Sequence, residues 1–224
     1  IAEVLWVDQS PLAKSARSVP VTVLGVWDGF RKAFAQSDAA RQQGLNAAAF
    51  SFNSGAGRCP ACQGAGYTRI EMQFLADVYL KCPVCDGKRF RSEVLQVTWL
   101  GANVAEWLAM TVDEAIARLA TDPVGNKLVP PFAHLAALGL GYLRLGQPTP
   151  TLAGGEAQRL KLAAALAAEK GAAKRAPEAH NRRLIVLDEP TTGLHEAEVA
   201  QLLAFLRART AEGNAVVVVE HIAR

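Results

Sequence analysis

Residues 184–221 read LIVLDEPTTGLHEAEVAQLLAFLRARTAEGNAVVVVEH, and their pattern sets the fold class. Leu184–Leu187 is a continuous apolar run ending in two carboxylates, which suits a strand buried on both faces. Val199, Leu202, Leu203 and Leu206 stand at i, i+3, i+4 and i+7, the spacing of one helix face. Ala215–Val219 is a second apolar run and is expected to form a second buried strand. Upstream, GGEAQRLKLAAALAAEK (154–170) predicts a helix opened by two glycines, with Leu160, Ala163, Ala164 and Ala167 on one face. Helix, strand, helix, strand implies parallel pairing through a right-handed crossover, and so an α/β sheet. In such sheets ligands sit at the carboxyl ends of strands, where Asp188, Glu189 and His221 fall.

Outward from this stretch, IAEVLWVDQS (1–10) reads as a short strand running into a polar turn, and Val26–Ala35 as a helix. EVLQVTWLG (93–101) suits a strand. Thr111 and Glu114 form a capping box that opens a helix over roughly 112–120. All four cysteines fall in two Cys-x-x-Cys pairs, Cys59/Cys62 and Cys82/Cys85, at the spacing of a structural zinc site. Each pair is followed by glycines, which let the backbone curl around the sulfurs. Disulfides would need an oxidising compartment, for which the sequence carries no signal. Between the pairs, YTRIEMQFLADVYLK (67–81) suits two strands, or a strand and an irregular arm. A Cys₄ set is a closed site, so the metal holds a finger in shape and activates no water.

Half of the 224 residues are hydrophobic and 20% are charged, which supplies a core and excludes global disorder. No apolar run approaches the roughly 18 residues of a membrane span, and no apolar leader opens the chain. A soluble, cytoplasmic protein with no membrane partner is expected. The net charge of +3 is too small to imply nucleic acid by itself.

Asp188-Glu189 after LIVL matches a Walker-B pattern, in which the aspartate helps hold Mg²⁺ and the glutamate polarises a water against the γ-phosphate. LAGGEAQR (152–159) resembles the signature of ABC-type ATPases, with Gly154, Gly155 and Glu156 at a helix start suited to phosphate. Thr191–Leu194 resembles the D-loop, His221 the switch histidine, and Gln9 the Q-loop glutamine. Together with DQSPLAKSARSVP, FSFNSGAGRCPACQGAGYTRIEMQFLADVYLKCPVCDGKRF and LGLGYLRLGQPTPTLAGGEAQRLKLA, these segments resemble the carboxyl-terminal half of the UvrA family over nearly the whole chain.

That resemblance implies a partial ABC-ATPase nucleotide-binding domain, with a parallel sheet core, a helical signature region and an inserted Cys₄ zinc module. Its segments would be a Q-loop strand and the start of the signature region (1–49), the zinc module (50–93), the helical signature region (94–183) and the Walker-B, D-loop and switch-histidine part (184–224). It further implies ATP with Mg²⁺ and structural Zn²⁺ as cofactors, and a role in detecting DNA damage in nucleotide excision repair. The implied partners are damaged double-stranded DNA, a second copy in a dimer, and a UvrB-like protein bound by another part of the molecule. Candidate phosphate contacts are Arg17, Arg58, Arg69, Lys81, Lys88 and Arg89, which would read shape in preference to base sequence.

Three departures qualify this. No G-x-x-x-x-G-K-[ST] loop occurs, so hydrolysis by this chain alone is not expected, and a piece of a longer protein is. Ala153 stands where the family signature has serine, and RSVPVTVLG where it has RSNPATYTG. A UvrA-like paralogue with another DNA or resistance role therefore stays open. So do an ABC ATPase of transport or translation, and a DnaJ-like zinc interaction module.

Overall fold

A computed structural model describes residues 3–8, 10, 12–13, 15–70, 72, 78–168 and 183–221, with Arg69 described for its backbone only. In chain order the elements are β1 (Glu3–Val7), α1 (Pro20–Val23), α2 (Trp27–Ala35), α3 (Asp38–Gln42), β2 (Tyr67–Ile70) and β3 (Val78–Lys81). There follow α4 (Ser92–Leu95), β4 (Thr98–Trp99), β5 (Ala102–Asn103), α5 (Val104–Ala109), α6 (Val112–Leu119), α7 (Pro123–Asn126) and α8 (Val129–Ala137). The last are α9 (Gly154–Ala167), β6 (Arg183–Asp188), α10 (Glu196–Ala211) and β7 (Ala215–Val219).

The sheet that carries the site has the order β1-β6-β7, all parallel. β6 is central, so its Ile185, Val186 and Leu187 are buried, as a two-faced apolar run requires. Val7 pairs with Leu187 and Asp188 with Val219, which brings the carboxyl ends of the three strands level. β7 departs from expectation: Val217, Val218 and Val219 are exposed. It is an edge strand, and the face shared by Val4, Trp6, Val217 and Val219 is uncovered among the described residues. On α10 the buried stripe is Leu202, Phe205 and Leu206, with Leu203 turned to solvent.

Between β1 and α9 the described residues outside the cysteine module fold mainly as short helices around one aromatic core. Phe30 of α2 has its ring centroid 5.6 Å from Trp27, 5.5 Å from Trp99 and 5.1 Å from Trp107. α6 begins as its capping box predicts: Thr111 Oγ1 accepts from Glu114 N–H at 3.2 Å, and Glu114 Oε2 from Thr111 N–H at 2.8 Å. The stretch 93–101 is not a single strand. Ser92–Leu95 form the helical turn α4, with Val94 buried, and the buried Val97 leads from it into a two-residue β4. β4 turns into β5 through Leu100 and Gly101, both at positive φ (50° and 75°), as a two-residue hairpin turn requires.

Candidate functional site

The candidate metal centre assembles from two knuckles. Cys59 and Cys62 lie on the turn before β2, and Cys82 and Cys85 follow β3. Their four Sγ atoms lie within 4.8 Å of one another, with Cys59–Cys82 at 4.0 Å and Cys62–Cys85 at 3.7 Å. A tetrahedron with Zn–S near 2.3 Å has sulfur edges of about 3.8 Å, so the cluster fits zinc, and all four thiols are free of disulfides. Gly66 N–H donates to Cys62 Sγ at 3.3 Å, orienting one ligand. Gly66 is needed for space as well. Its φ is +76°, and a Cβ there would meet Gly87 O at 2.9 Å and Arg89 Cγ at 3.0 Å. Backbone N–H donation from Cys85 pulls the Cys82 thiol down to about 7, while burial pushes Cys85 up to about 12. A divalent cation is the natural way to hold all four as thiolates.

The second site lies at the carboxyl edge of the β1-β6-β7 sheet. Glu189 adopts φ +42°, a left-handed conformation uncommon for a residue with a side chain. It is held there by its own N–H, which donates to Val219 O at 2.8 Å. Thr192 Oγ1 donates to its Oε2 at 3.1 Å, and His221 Nε2 lies 3.2 Å from its Oε1. The neighbouring turn is fixed by Thr191 N–H, which donates to Glu220 Oε1 at 2.9 Å. The Asp188 carboxylate makes no hydrogen bond among the described residues, while its carbonyl accepts from Gln158 Nε2 at 3.0 Å.

Helix α9 is tied to this edge by Gln158 and Lys161, and to the neighbouring helices by Arg159. Gln158 reaches the Asp188 and Glu189 carbonyls. The buried Arg159 pairs with Glu198 of α10 at 2.6 Å and donates to Leu138 O at 3.1 Å. Lys161 donates to Asp8 Oδ1 at 2.7 Å and to Asp8 O at 2.8 Å, just past the end of β1. At the helix start, Ala153 N–H donates to Glu156 Oε2 at 2.8 Å, and Tyr142 donates to the other Glu156 oxygen. Glu156 thus serves the start of α9. A Cβ at Gly155 would lie 2.4 Å from Leu194, so that glycine lets the helix approach the turn after β6. Gly154 faces open space. A cavity of about 350 Å³ lies between this helix start and the end of β1, bounded by Asp8, Ser10, Gly154, Gln158 and Lys161.

The Lys161 ammonium, followed by the Ser10 hydroxyl and N–H, holds the Asp8 carboxyl near 2, down from 3.8. Because the folded-state value is the lower one, the stabilisation is fully present above pH 3.8 and is lost as pH falls through about 2. Lys161→Met is expected to return the Asp8 titration towards its ordinary value, read as its carboxyl ¹³C shift against pH. An unchanged midpoint would show that the pair does not form.

Of the candidate phosphate contacts, Lys81 and Lys88 are exposed, and Arg17 and Arg58 are half-buried, with Arg58 donating to Asn53 O at 3.0 Å. Arg89 is 3% exposed and donates to the carbonyls of Ala16, Gly64 and Gly146, so its guanidinium is engaged within the chain. Gln9 and the Arg69 side chain lie outside the described residues. The sequence does not single out Lys161 or Glu220. Their roles depend on long-range approaches, and only the polar letters inside an alanine-rich helix marked Lys161.

No protein-family model matches the chain. It is 45% identical over 221 residues to UvrABC system protein A of Streptococcus pyogenes serotype M1, covering 99% of this chain and 22% of that protein. The protein of the same name from Thermus thermophilus is 46% identical over 220 residues, again covering 22% of its length. Among solved structures, UvrA2 from Deinococcus radiodurans superposes with a TM-score of 0.87 at 43% identity, covering 99% of this chain and 26% of that one. The chain thus spans about a fifth of the length of the curated relatives it matches. The parallel sheet, the helical region and the four-cysteine cluster occupy one continuous stretch of similarity, over which this chain matches UvrA proteins as a fragment of their length.

Proposed function

We propose that the chain forms part of a UvrA-like ABC-type ATPase subunit of nucleotide excision repair, in which ATP turnover is coupled to DNA binding. The observation that carries this is the carboxyl edge of the sheet, where Glu189 is held at φ +42° with His221 3.2 Å away and α9 is anchored to its carbonyl. Glu189 would orient and polarise the attacking water, and His221 and Thr192 would fix its carboxylate. Asp188 would bind Mg²⁺, which supplies neutralisation of the phosphate charge. Gln9, next to Asp8, would complete the metal shell. No phosphate-cradling lysine loop occurs in these 224 residues, so the γ-phosphate would be anchored by another part of the longer protein. The open face at Gly154 and Gly155 would cap a nucleotide held by a second nucleotide-binding domain, in the dimer that the family resemblance implies. Arg17, Arg58, Arg69, Lys81 and Lys88 would meet duplex phosphates, lesion DNA being the substrate. A UvrB-like partner would bind elsewhere in the longer protein.

The test is a chimera in which this chain replaces the matching stretch of the Thermus thermophilus relative. Glu189→Gln there is expected to lower Mg²⁺-dependent ATP turnover. The loss is about half if a second site keeps working, and roughly 10²–10⁴-fold if this site carries the flux. Turnover equal to the parent would overturn the assignment.

Ala153 favours a second reading, a UvrA-like paralogue with another DNA or resistance role. It sits at the N-cap of α9 with extended backbone (φ −64°, ψ 156°), the conformation in which serine caps. Ala153→Ser is therefore expected to stabilise the chain by about 1 kcal/mol in urea unfolding. In the chimera the restored hydroxyl is expected to speed hydrolysis at the opposing site by roughly ten- to a hundred-fold. Unchanged unfolding midpoint and unchanged rate would show that the position is indifferent to the hydroxyl.

A further inference from the structure

We propose that the cleft between the β2–β3 hairpin and the helical region is a binding site for a nucleoside monophosphate unit, either a free nucleotide or one unstacked from a strand. The cleft measures about 550 Å³, within the size range of small-ligand sites. The hairpin supplies Tyr67 and Tyr79. Tyr67 pairs with Lys81, two residues beyond Tyr79 on β3, so both tyrosines stand on the same face of the hairpin. The opposite wall is apolar, formed by Leu108 of α5 and by Pro148 and Pro150 of the turn before α9. Between these walls a planar base can stack, since any base presents a π-face to tyrosine.

The charge at the cleft selects the other half of the ligand. Lys88 is exposed and makes no side-chain hydrogen bond among the described residues. Arg144 spends one N–H on Ala109 O at 2.7 Å and keeps its other donors. Arg89 adds a buried positive charge beneath them, and no carboxylate is among the described residues that line the cleft. A neutral aromatic would use only the walls and an inorganic anion only the cations, whereas a nucleotide uses both. The cleft is distinct from the cavity at the start of α9, although Pro150 lines both.

The unstacked-strand source rests on the DNA-binding reading above, whereas the free-nucleotide source does not. The zinc-loaded 224-residue chain is titrated with dTMP, thymidine, inorganic phosphate and a dT decamer, following the ring signals of selectively labelled tyrosine. Binding of dTMP at least about tenfold tighter than thymidine or phosphate is expected, with Tyr79→Ala and Arg144→Gln each weakening it by about tenfold and Tyr79→Phe retaining it. A decamer that binds no tighter than dTMP identifies the free nucleotide as the ligand. A decamer that binds tighter and loses that advantage in Tyr79→Ala identifies the strand. Both substituted side chains are exposed, and zinc content with unfolding midpoint checks that each variant is folded. No dTMP binding up to about 10 mM, together with decamer binding indifferent to Tyr79→Ala, overturns the proposal. Intact duplex binding in that case would leave the DNA reading standing.

Discussion

Cys82→Ser is expected to lose zinc and to unfold the segment from Cys59 to Lys88 while leaving Arg89, Phe90 and the aromatic core in place. The cysteines form their own buried cluster, separate from the large core that runs from Val7 to Leu206. The hairpin they hold is two four-residue strands, with every residue of β3 exposed. A lone two-stranded hairpin of this length is marginal in water, so burial cannot hold the module by itself. Zinc bound by four thiolates contributes about 10–16 kcal/mol of apparent binding energy in small Cys-rich domains, far more than anything else in the segment. A serine oxygen at one corner removes a sulfur ligand and leaves the remaining thiols to reprotonate. The buried Cys85, pushed up to about 12 without a cation, would be the first to do so. Elemental analysis is expected to fall from one zinc per chain to near zero, and proteolysis to open within β2 and β3. Near-ultraviolet circular dichroism from Trp27, Trp99 and Trp107 is expected to persist. Stoichiometric zinc in the variant, or a parent-like proteolysis pattern, would show that the four sulfurs do not hold a metal.

Features set by local rules were legible in the sequence. Apolar run, helical stripe and apolar run gave β6, α10 and β7 in parallel, and Cys-x-x-Cys spacing gave the sulfur cluster. Features set by what lies across a gap were not. Nothing in AVVVV distinguishes a buried strand from one with an open face, and Val217 and Val219 are exposed because no described element covers the face they share with Val4 and Trp6. The run EVLQVTWLG carries β-branched and aromatic residues throughout, yet its first part lies in the helical turn α4 and only Thr98–Trp99 pairs as a strand. At the sheet edge the carboxylates were visible from their place after an apolar run. The left-handed backbone of Glu189 was not, because it is imposed by Val219 O and by α9.

Arg89→Ala is expected to destabilise the chain by about 3–5 kcal/mol, since three carbonyls lose donors at roughly 1–3 kcal/mol each, a large share of the 5–15 kcal/mol typical of a folded domain. In sequence, Lys88 and Arg89 look alike, two cations after a cysteine knuckle. In the structure Lys88 is exposed, and Arg89 is buried with its guanidinium joining three segments. Its Nη1 donates to Ala16 O at 2.9 Å and Gly64 O at 3.2 Å, and its Nη2 to Gly146 O at 3.1 Å. Its Cζ stands 5.3 Å from the Phe52 ring centroid. Desolvation lowers its pKa, but arginine keeps its proton, so the charge is stabilised by carbonyl dipoles and an aromatic face. Alanine would leave three carbonyls short of donors and remove the link between metal module, first loop and helical region. Arg89→Lys keeps the charge but offers one compact ammonium for a planar fork, and is expected to cost about 1–3 kcal/mol. Lys88→Ala, by contrast, should stay within about 0.5 kcal/mol of the parent. Urea midpoints of the three variants separate the two roles. If Arg89 instead met phosphate, its alanine variant would unfold like the Lys88 variant, and the salt slope of DNA binding would fall by about one.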